Sequence, residues 1–430
     1  MKTTTTATGK DKVEEAVGKL LDGSMSLRDV EKQMGEGANF GAEARRAYLE
    51  RKYGKTLDHI GRDSIDFDDA AKRNIENPIG KAQIPMGYAG ELKINGAYAN
   101  GDYPIVLATT EGMLVAGVAR GLSVLSKPSP TAIGVTARVV RDGMTRDVLV
   151  RAMGSAESAQ LTEWINGKAG AGFLEDAFSK NTKHGKLVEI FATPVGRDVH
   201  IRFKARTGAA MGMNMVTIAA NESVKLMIPE VKERLGIDVD HISESGNMCT
   251  DKKAAPINFI MGRGASVIAD THLPRELVAE KFKVTPEAIA ALSHSKNFVG
   301  TAAAGGTPSC NAHVANMLAG LYIAYGQDVA QIVEGSLAVT NAEVAEDGSL
   351  YVSITMPAVE VGTFGGGTSR ETQKEALNLL GLYGENDAEG RTRLAFAEIV
   401  AGVCLAGELN LLAVQASHTL SSAHGKLRRG

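Results

Sequence analysis

The most hydrophobic run of the chain, Leu394 to Ala416, carries two carboxylates, Glu398 and Glu408. Near the centre of a bilayer each would cost ~2.5–3.5 kcal/mol. The run therefore predicts a buried core helix in a soluble protein. A helix apolar on all sides must be wrapped by other elements. Asn311 to Gln331 is a second such segment, apolar around nearly its whole circumference until Gln327 and Asp328. At 430 residues the chain is long for one core, so two or three domains are expected.

Composition narrows the function class. Hydrophobic residues make up 44% and charged residues 23%, ordinary values for a globular protein. A net charge of −3 gives no global attraction to nucleic acid or anionic membranes, so an anionic ligand must be met by local basic residues. Cys249, Cys310 and Cys404 are odd in number and far apart, which argues against a disulfide framework and for a reducing, cytoplasmic compartment. No CxxC or HExxH spacing occurs, so no metal site is expected. The N-terminus has no apolar core of signal-peptide type. No GxGxxG fingerprint supports a Rossmann domain.

The pattern of elements predicts an α+β fold. Residues 1–73 are polar and read as a small helical domain, with a short helix from Gly41 to Gly54. Residues 147–243 carry a β-α-β-β-α-β order. Asp147 to Met153 is a strand, and Glu157 to Ser179 is helical with a break at the Gly167–Gly172 cluster. Lys186 to Thr193 is a second strand. After a turn at Gly196 to Asp198, the alternation of Val199, Ile201, Phe203 and Ala205 marks a third. A helix follows from about Ala210, which Pro229 interrupts or ends, and Ile237 to Ile242 closes the unit. That order is a ferredoxin-like split unit. It would be inserted into a larger, helix-rich α/β domain of residues 74–146 and 244–409, with 410–430 forming a C-terminal helix and mobile tail.

Several residues stand out chemically. The stretch SGNMCTDKKAAPINFIMGRG, Ser245 to Gly264, sets Asp251, Lys252 and Lys253 at the lip of an apolar run. A cation held there partly out of water suits stabilisation of a developing oxyanion; a solvated loop is the plain alternative. Asp328, at the end of an apolar segment, must be paired, hydrogen-bonded or protonated, and a structural ion pair would satisfy it equally. Glu111, in ATTEGMLVAG, reads alone as a carboxylate at a helix start. His424 reads alone as a tail histidine. Arg146, in DGMTR, offers a guanidinium fork suited to a carboxylate. GAAMGMNM, Gly208 to Met215, places small residues at a helix start, where backbone N–H groups face an anion, although its methionines also suit core packing. GTFGGGT lacks the partners of a P-loop and reads as a tight packing or turn element.

Taken with ENPIGKAQIPMGYAG (Glu76 to Gly90), NAHVANMLAGLYIAYGQDVAQ (Asn311 to Gln331) and TMPAVEVGTFGGGT (Thr355 to Thr368), these motifs resemble the catalytic portion of the 3-hydroxy-3-methylglutaryl-coenzyme A reductase family. The resemblance runs over roughly residues 70 to 424, and MGMNM is similar to its class I branch. It implies NADPH as cofactor, HMG-CoA and coenzyme A as ligands, and a homodimer or larger homo-oligomer with the active site between subunits. Nucleic acid and membrane are not among the implied partners. By the same resemblance Lys252, Glu111, Asp328 and His424 are the catalytic set: Lys252 beside the reacting oxygen, Glu111 a proton donor, Asp328 beside the lysine, His424 protonating the departing thiolate. Ser usually precedes this histidine in the family; here it is Ala423, and His418 is an alternative. Arg146, Ser245, Asp251, Lys253, Lys296 and Asn316 match residues of the substrate pocket, and Arg120 one near the coenzyme A phosphates. Thr182 and Lys183 match positions that read the NADPH 2′-phosphate. Ala209, Met211, Gly212, Met213 and Asn214 match the cofactor loop, except that the family has Asp where this chain has Ala209. Three further readings remain: an NADH-using class II-like reductase, a catalytically impaired family member, and an RNA-binding module built on the ferredoxin-like unit. The last lacks the aromatic stacking pattern of RNA-binding sheets.

Overall fold

The computed structural model describes residues 9–62, 65–126, 134–306 and 309–417. Its core is organised around the helix Arg391–Ala416, whose side chains are buried from Arg393 through Asn410 with little interruption beyond. Among the described residues it is the one helix long and apolar enough to cross a membrane, yet 83% of its most apolar window is buried inside the fold. Both of its carboxylates are satisfied. Glu398 accepts the backbone N–H groups of Ala97 (3.0 Å), Tyr98 (2.8 Å) and Ala99 (2.8 Å). Glu408 accepts those of Ala312 and His313, each at 2.7 Å. Acceptors inside an apolar helix thus fix two turns that would otherwise bury orphan donors.

Nine strands occur among the described residues. They are β1 Met86–Gly96, β2 Asn100–Ala108, β3 Val135–Ala152, β4 Lys186–Val195, β5 Asp198–Arg206, β6 Val239–Ser243, β7 Arg263–Leu273, β8 Val339–Val344 and β9 Leu350–Val359. One sheet has the order β2-β1-β3-β7-β9-β8, antiparallel except for the short parallel pairing of β1 with β3. The second runs β4-β5-β3-β6 and is antiparallel throughout. The result is a mixed α+β fold.

β3 belongs to both sheets. Its residues 136–143 pair with β7, and residues 144–151 pair with β5. The division expected at 146/147 therefore falls inside a continuous strand. The ladder passes from one partner to the next at Gly143, where φ is 157° and an added Cβ would meet the Lys204 side chain at 2.7 Å. Two apolar cores flank this strand. One surrounds the Arg391–Ala416 helix; the other gathers Val148, Leu161, Phe178, Phe203 and Val224. Val13, Val17, Tyr48 and Leu49 of the N-terminal helices belong to the first core, so residues 9–62 have no separate apolar centre. The Ala38–Tyr53 helix ends at Gly54 in the left-handed region (φ 62°), as its terminal glycine predicts.

Three expectations need correction. The Asn311–Gln331 segment is not helical throughout: the helix is Val314–Ala324. Gly326 (φ 68°) turns the chain because a Cβ there would strike the Gly367 backbone at 2.4 Å. Pro229 does not end its helix, which runs from Met213 to Leu235. Pro229 and Lys225, the residue whose carbonyl it leaves without a donor, both face solvent, while Val224, Met227 and Val231 anchor the other side. The division at 409/410 lies within the Arg391–Ala416 helix, and the tail from residue 418 lies outside the described residues.

Candidate active site

The loop between β6 and β7 is stitched to β3 at the point where that strand changes sheets. Gly246 N donates to Asp147 O (3.0 Å), Met248 N to the Asp147 carboxylate (2.8 Å), and Thr145 Oγ1 to Cys249 O (3.0 Å). Arg146, between those anchors, donates through Nη1 to Ser245 Oγ and through Nε to Thr217 Oγ1, each at 2.8 Å. Its Nη2 lies 3.8 Å from Asp251 Oδ2. Lys252 Nζ lies 3.2 Å from Asp328 Oδ2, and these side chains are 48% and 32% exposed. The ammonium of a single chain is therefore half in water, less dry than its apolar flank suggests. Lys253 Nζ donates to Asp251 O (2.8 Å). Asp328 follows the Val314–Ala324 helix, where its Oδ1 accepts the N–H of Ala330 (3.1 Å).

A buried charge network lies beneath this loop. Arg263, with a fully buried side chain, donates through Nη2 to Asp251 (2.8 Å) and lies 3.2 Å from Glu334 and 3.4 Å from Glu360. Its Nη1 reaches Thr145 O, Thr145 Oγ1 and Cys249 O at 2.9, 2.7 and 3.1 Å. Gln331 Nε2 donates to Asp251 Oδ1 (2.9 Å). Burial pushes the Asp251 carboxyl up, but the Gln331 hydrogen bond and the charges of Arg263, Arg146 and Lys252 outweigh it and hold it below the usual carboxylate range. Glu334 and Glu360 are displaced the other way, by burial first.

Glu111 belongs to a second cluster. It precedes the Leu114–Leu125 helix, its N–H donates to Thr109 Oγ1 (2.9 Å), and its carboxylate accepts Asn316 Nδ2 at 3.5 Å. It lines a groove of about 1070 Å³ with Ser26, Arg28, Met113, Ala116 and Ala119. Among the described residues no hydrogen bond or ion pair joins Glu111 to Lys252 or Asp328. Arg120 donates to Lys281 O (2.9 Å) and stacks on Phe282. Lys296 is half-buried on the π-helical turn His294–Gly300, and among the described residues no hydrogen bond or ion pair joins it to the Lys252 loop. His424 and His418 lie outside the described residues.

The Met213–Leu235 helix starts at Gly212 (φ 82°) without a side-chain cap, so its first N–H groups remain free of side-chain acceptors. Met211 and Gly212 are half-buried, Asn214 is exposed, and the sulfur of buried Met213 lies 3.3 Å from Arg263 Nη2. The turn holding Thr182 and Lys183 packs close by: a Cβ on Gly185 would meet the Met215 side chain at 2.8 Å. Thr182 Oγ1 accepts Gly185 N (3.0 Å), and Lys183 is exposed. Ala209 is buried; its carbonyl accepts Thr363 N (2.8 Å) and its N–H donates to Asp387 O (3.1 Å). GTFGGGT packs directly on this loop, and Gln327 clamps it through paired bonds to Gly362 N (2.7 Å) and O (2.9 Å).

The sequence model of hydroxymethylglutaryl-coenzyme A reductase matches residues 41–429. The chain belongs to that family. It is 47% identical to 3-hydroxy-3-methylglutaryl-coenzyme A reductase of Pyrococcus abyssi over 418 residues, covering 97% of this chain and 100% of the relative. With the enzyme of the same name from Methanocaldococcus jannaschii it shares 44% over 412 residues, 96% of this chain and 98% of the other. A solved structure of a class II 3-hydroxy-3-methylglutaryl-CoA reductase from Streptococcus pneumoniae, bound to NADPH, is similar with a TM-score of 0.63 at 17% identity, covering 92% of this chain and 99% of that one. At that identity the likeness carries the fold alone.

Within this reductase family member, the fold brings Lys252, Asp328, Asp251, Lys253, Arg146 and Ser245 into one neighbourhood and gathers Glu111 with Asn316 in another. Arg263, Gln331, Glu334, Glu360 and Thr217 went unnoticed in the sequence, and Gln327 was marked only as a polar end of the apolar segment. Arg263, Glu334 and Glu360 had a usable signal: each is a charge set in apolar or glycine-rich sequence, which demands a buried partner. Gln331 and Thr217 had none, and nothing marked what Gln327 clamps, because their partners come from distant segments.

Proposed function

We propose that the protein reduces (S)-3-hydroxy-3-methylglutaryl-CoA to mevalonate and free coenzyme A, in the manner of class I reductases, consuming two NADPH and two protons and releasing two NADP⁺. The observation that carries this reading is the Lys252–Asp328 contact of 3.2 Å on a loop tied to Arg146. The residues at the start of the Met213–Leu235 helix fit a dinucleotide: uncapped N–H groups, a glycine with positive φ, and the Thr182–Lys183 turn alongside. Met211 to Asn214 would line the nicotinamide end, and Lys183 would meet the 2′-phosphate, where a cation favours NADPH over NADH. When bound, NADPH supplies the hydride for each reduction.

The chain's own residues do the rest. Arg146 is read as the partner of the substrate's terminal carboxylate, and Ser245, Asp251, Lys253, Lys296 and Asn316 as lining its pocket. Lys252 donates hydrogen bonds to the oxyanion that forms on the thioester carbonyl and again on the aldehyde. Asp328 holds that ammonium in place. Glu111, oriented by Asn316, delivers a proton to the product oxygen. As the C–S bond breaks, the electron pair leaves with sulfur and His424 protonates the thiolate. Arg120 and the groove beside Glu111 suit the coenzyme A arm. Among the described residues no hydrogen bond or ion pair ties Glu111 to Lys252, and by the family resemblance the two would meet in a site assembled from two copies.

The same reading keeps residues 74–146 with 244–409 as the substrate and subunit-pairing region and 147–243 as the cofactor region, while 1–73, whose described helices share the main core, and 410–430, which begin inside the Arg391–Ala416 helix, are extensions of the first and not separate domains. Residues 147–243 serve as the ferredoxin-like cofactor unit, in keeping with the β4-β5-β3-β6 order. Three reduced cysteines fit a cytoplasmic setting. Steady-state NADPH oxidation with HMG-CoA and, separately, with mevaldehyde tests the proposal. Lys252→Ala is expected to lose at least about 10²-fold on both substrates; near-normal turnover of either contradicts the role of the lysine. An unreactive wild-type protein would favour an impaired member, for which Ala209, lacking the family's carboxylate, is the specific reason.

A further inference from the structure

The backbone of the Lys252 loop adopts a conformation that its own side chains oppose. Asn247, Thr250 and Lys252 have φ values of 69°, 61° and 58°. The left-handed region suits asparagine but is unfavourable for other residues with a Cβ, and most of all for a β-branched threonine. Such a cluster persists only where the surroundings over-determine it.

At Lys252 the determining group is Glu334. Its side chain is fully buried, and its Oε1 accepts the Lys252 backbone N–H at 2.8 Å and lies 3.2 Å from Arg263 Nε. Glu334 sits on the short helix Ile332–Gly335, directly after the turn Val329–Gln331 that Asp328 caps. The segment that presents the ion-pair partner of the ammonium therefore also grips the backbone from which the ammonium extends. Arg263 completes the frame by fixing Asp251, the preceding residue, through Nη2, and Cys249 through Nη1.

We infer that Glu334 is a positioning residue that locks the Lys252 backbone so that Nζ meets Asp328. It touches no reacting atom and acts through a single acceptor oxygen. The inference rests on the reading of Lys252 as the oxyanion-stabilising group. The requirement is one of reach: the oxygen must arrive at the Lys252 N–H with the full length of a glutamate.

The test compares Glu334→Asp, Glu334→Gln and Lys252→Ala in the full chain, with kcat and KM measured on HMG-CoA and on mevaldehyde. Glu334→Asp keeps the charge but withdraws the oxygen by one methylene. It is expected to lower kcat by about 30- to 100-fold on both substrates, the order of loss that a displacement of about 1 Å produces, with KM little changed. Glu334→Gln keeps an acceptor at the original reach and is expected to recover most of that loss. Wild-type kcat in Glu334→Asp, equal impairment of the two variants, or a rise in KM in place of the fall in kcat would each overturn the inference. Should Glu334→Gln fail to fold, Glu334→Asp alone decides it. Full activity of Lys252→Ala would instead bring down the reading of the site on which the inference stands.

Discussion

One guanidinium, Arg263, faces three carboxylates below the Lys252 loop: Asp251, Glu334 and Glu360. The three do not share its charge equally. Asp251 keeps a second donor in Gln331 and is held low. Glu360 is entirely buried, neither of its oxygens has a hydrogen-bond partner, and burial followed by the charge of Glu334 drives its carboxyl well above the ordinary value of 4.5. The folded chain thus retains a proton that the unfolded chain releases near pH 4.5. Unfolding then releases protons, so stability falls as pH rises from that value towards the folded one. Replacing Glu360 with the neutral isostere Gln should flatten this slope by up to about 1.4 kcal/mol per pH unit. Urea midpoints at pH 5 and pH 8 measure it; parallel wild-type and Glu360→Gln profiles would mean that Glu360 is ionised in the fold. The catalytic candidates themselves were visible in the sequence because local motifs carry them. The ion that organises them showed only its need for a buried partner; which groups it joins was not legible, since they lie more than a hundred residues apart along the chain, as Thr145 and Arg263 do.

Among the elements, the approach of the Leu114–Leu125 helix to the Arg391–Ala416 helix governs the position of Glu111. Gly121 makes that approach possible: a Cβ there would lie 2.1 Å from the Ala406 carbonyl oxygen, a backbone atom that cannot step aside. Gly407 on the facing helix meets only the Met317 side chain, at 2.5 Å. Both glycines lie in helices, where alanine gains about 1 kcal/mol of propensity. Gly121→Ala should nevertheless destabilise by about 1–3 kcal/mol, because the helices must separate. Gly407→Ala should be near neutral, because methionine repacks. Thermal denaturation of the two variants separates the cases, and equal melting temperatures would show that the helix pair adjusts freely. Element types followed from periodicity and turn residues, as at Gly54 and Gly196. Element ends followed less well. Gly326 stops the Val314–Ala324 helix early because Gly367 packs on it, and Pro229 fails to stop its helix because its exposed side needs no donor.

For the whole molecule, the decisive question is how Glu111 reaches Lys252. Each candidate is partly solvent-exposed in one chain, and among the described residues no hydrogen bond or ion pair connects the two. A homodimer with its sites between subunits makes a quantitative prediction. Co-expressed Lys252→Ala and Glu111→Gln chains form mixed dimers that own one intact site. Random pairing makes half of all dimers mixed, so activity should return to roughly a quarter of wild type. If the mixture stays at the level of the separate inactive variants, Lys252 and Glu111 serve the same subunit's site.

The amino-acid order alone established which residues carry charge, which runs must be buried, and the succession of elements, because each of these depends on neighbours within a few positions. It also determined family membership through the order of its motifs. Folding in three dimensions was needed to settle that β3 joins both sheets, that the N-terminal helices share the main core, and that Glu334 and Arg263 grip the Lys252 loop. Those outcomes depend on which distant groups become neighbours once water is excluded, and a linear pattern holds no record of that contact.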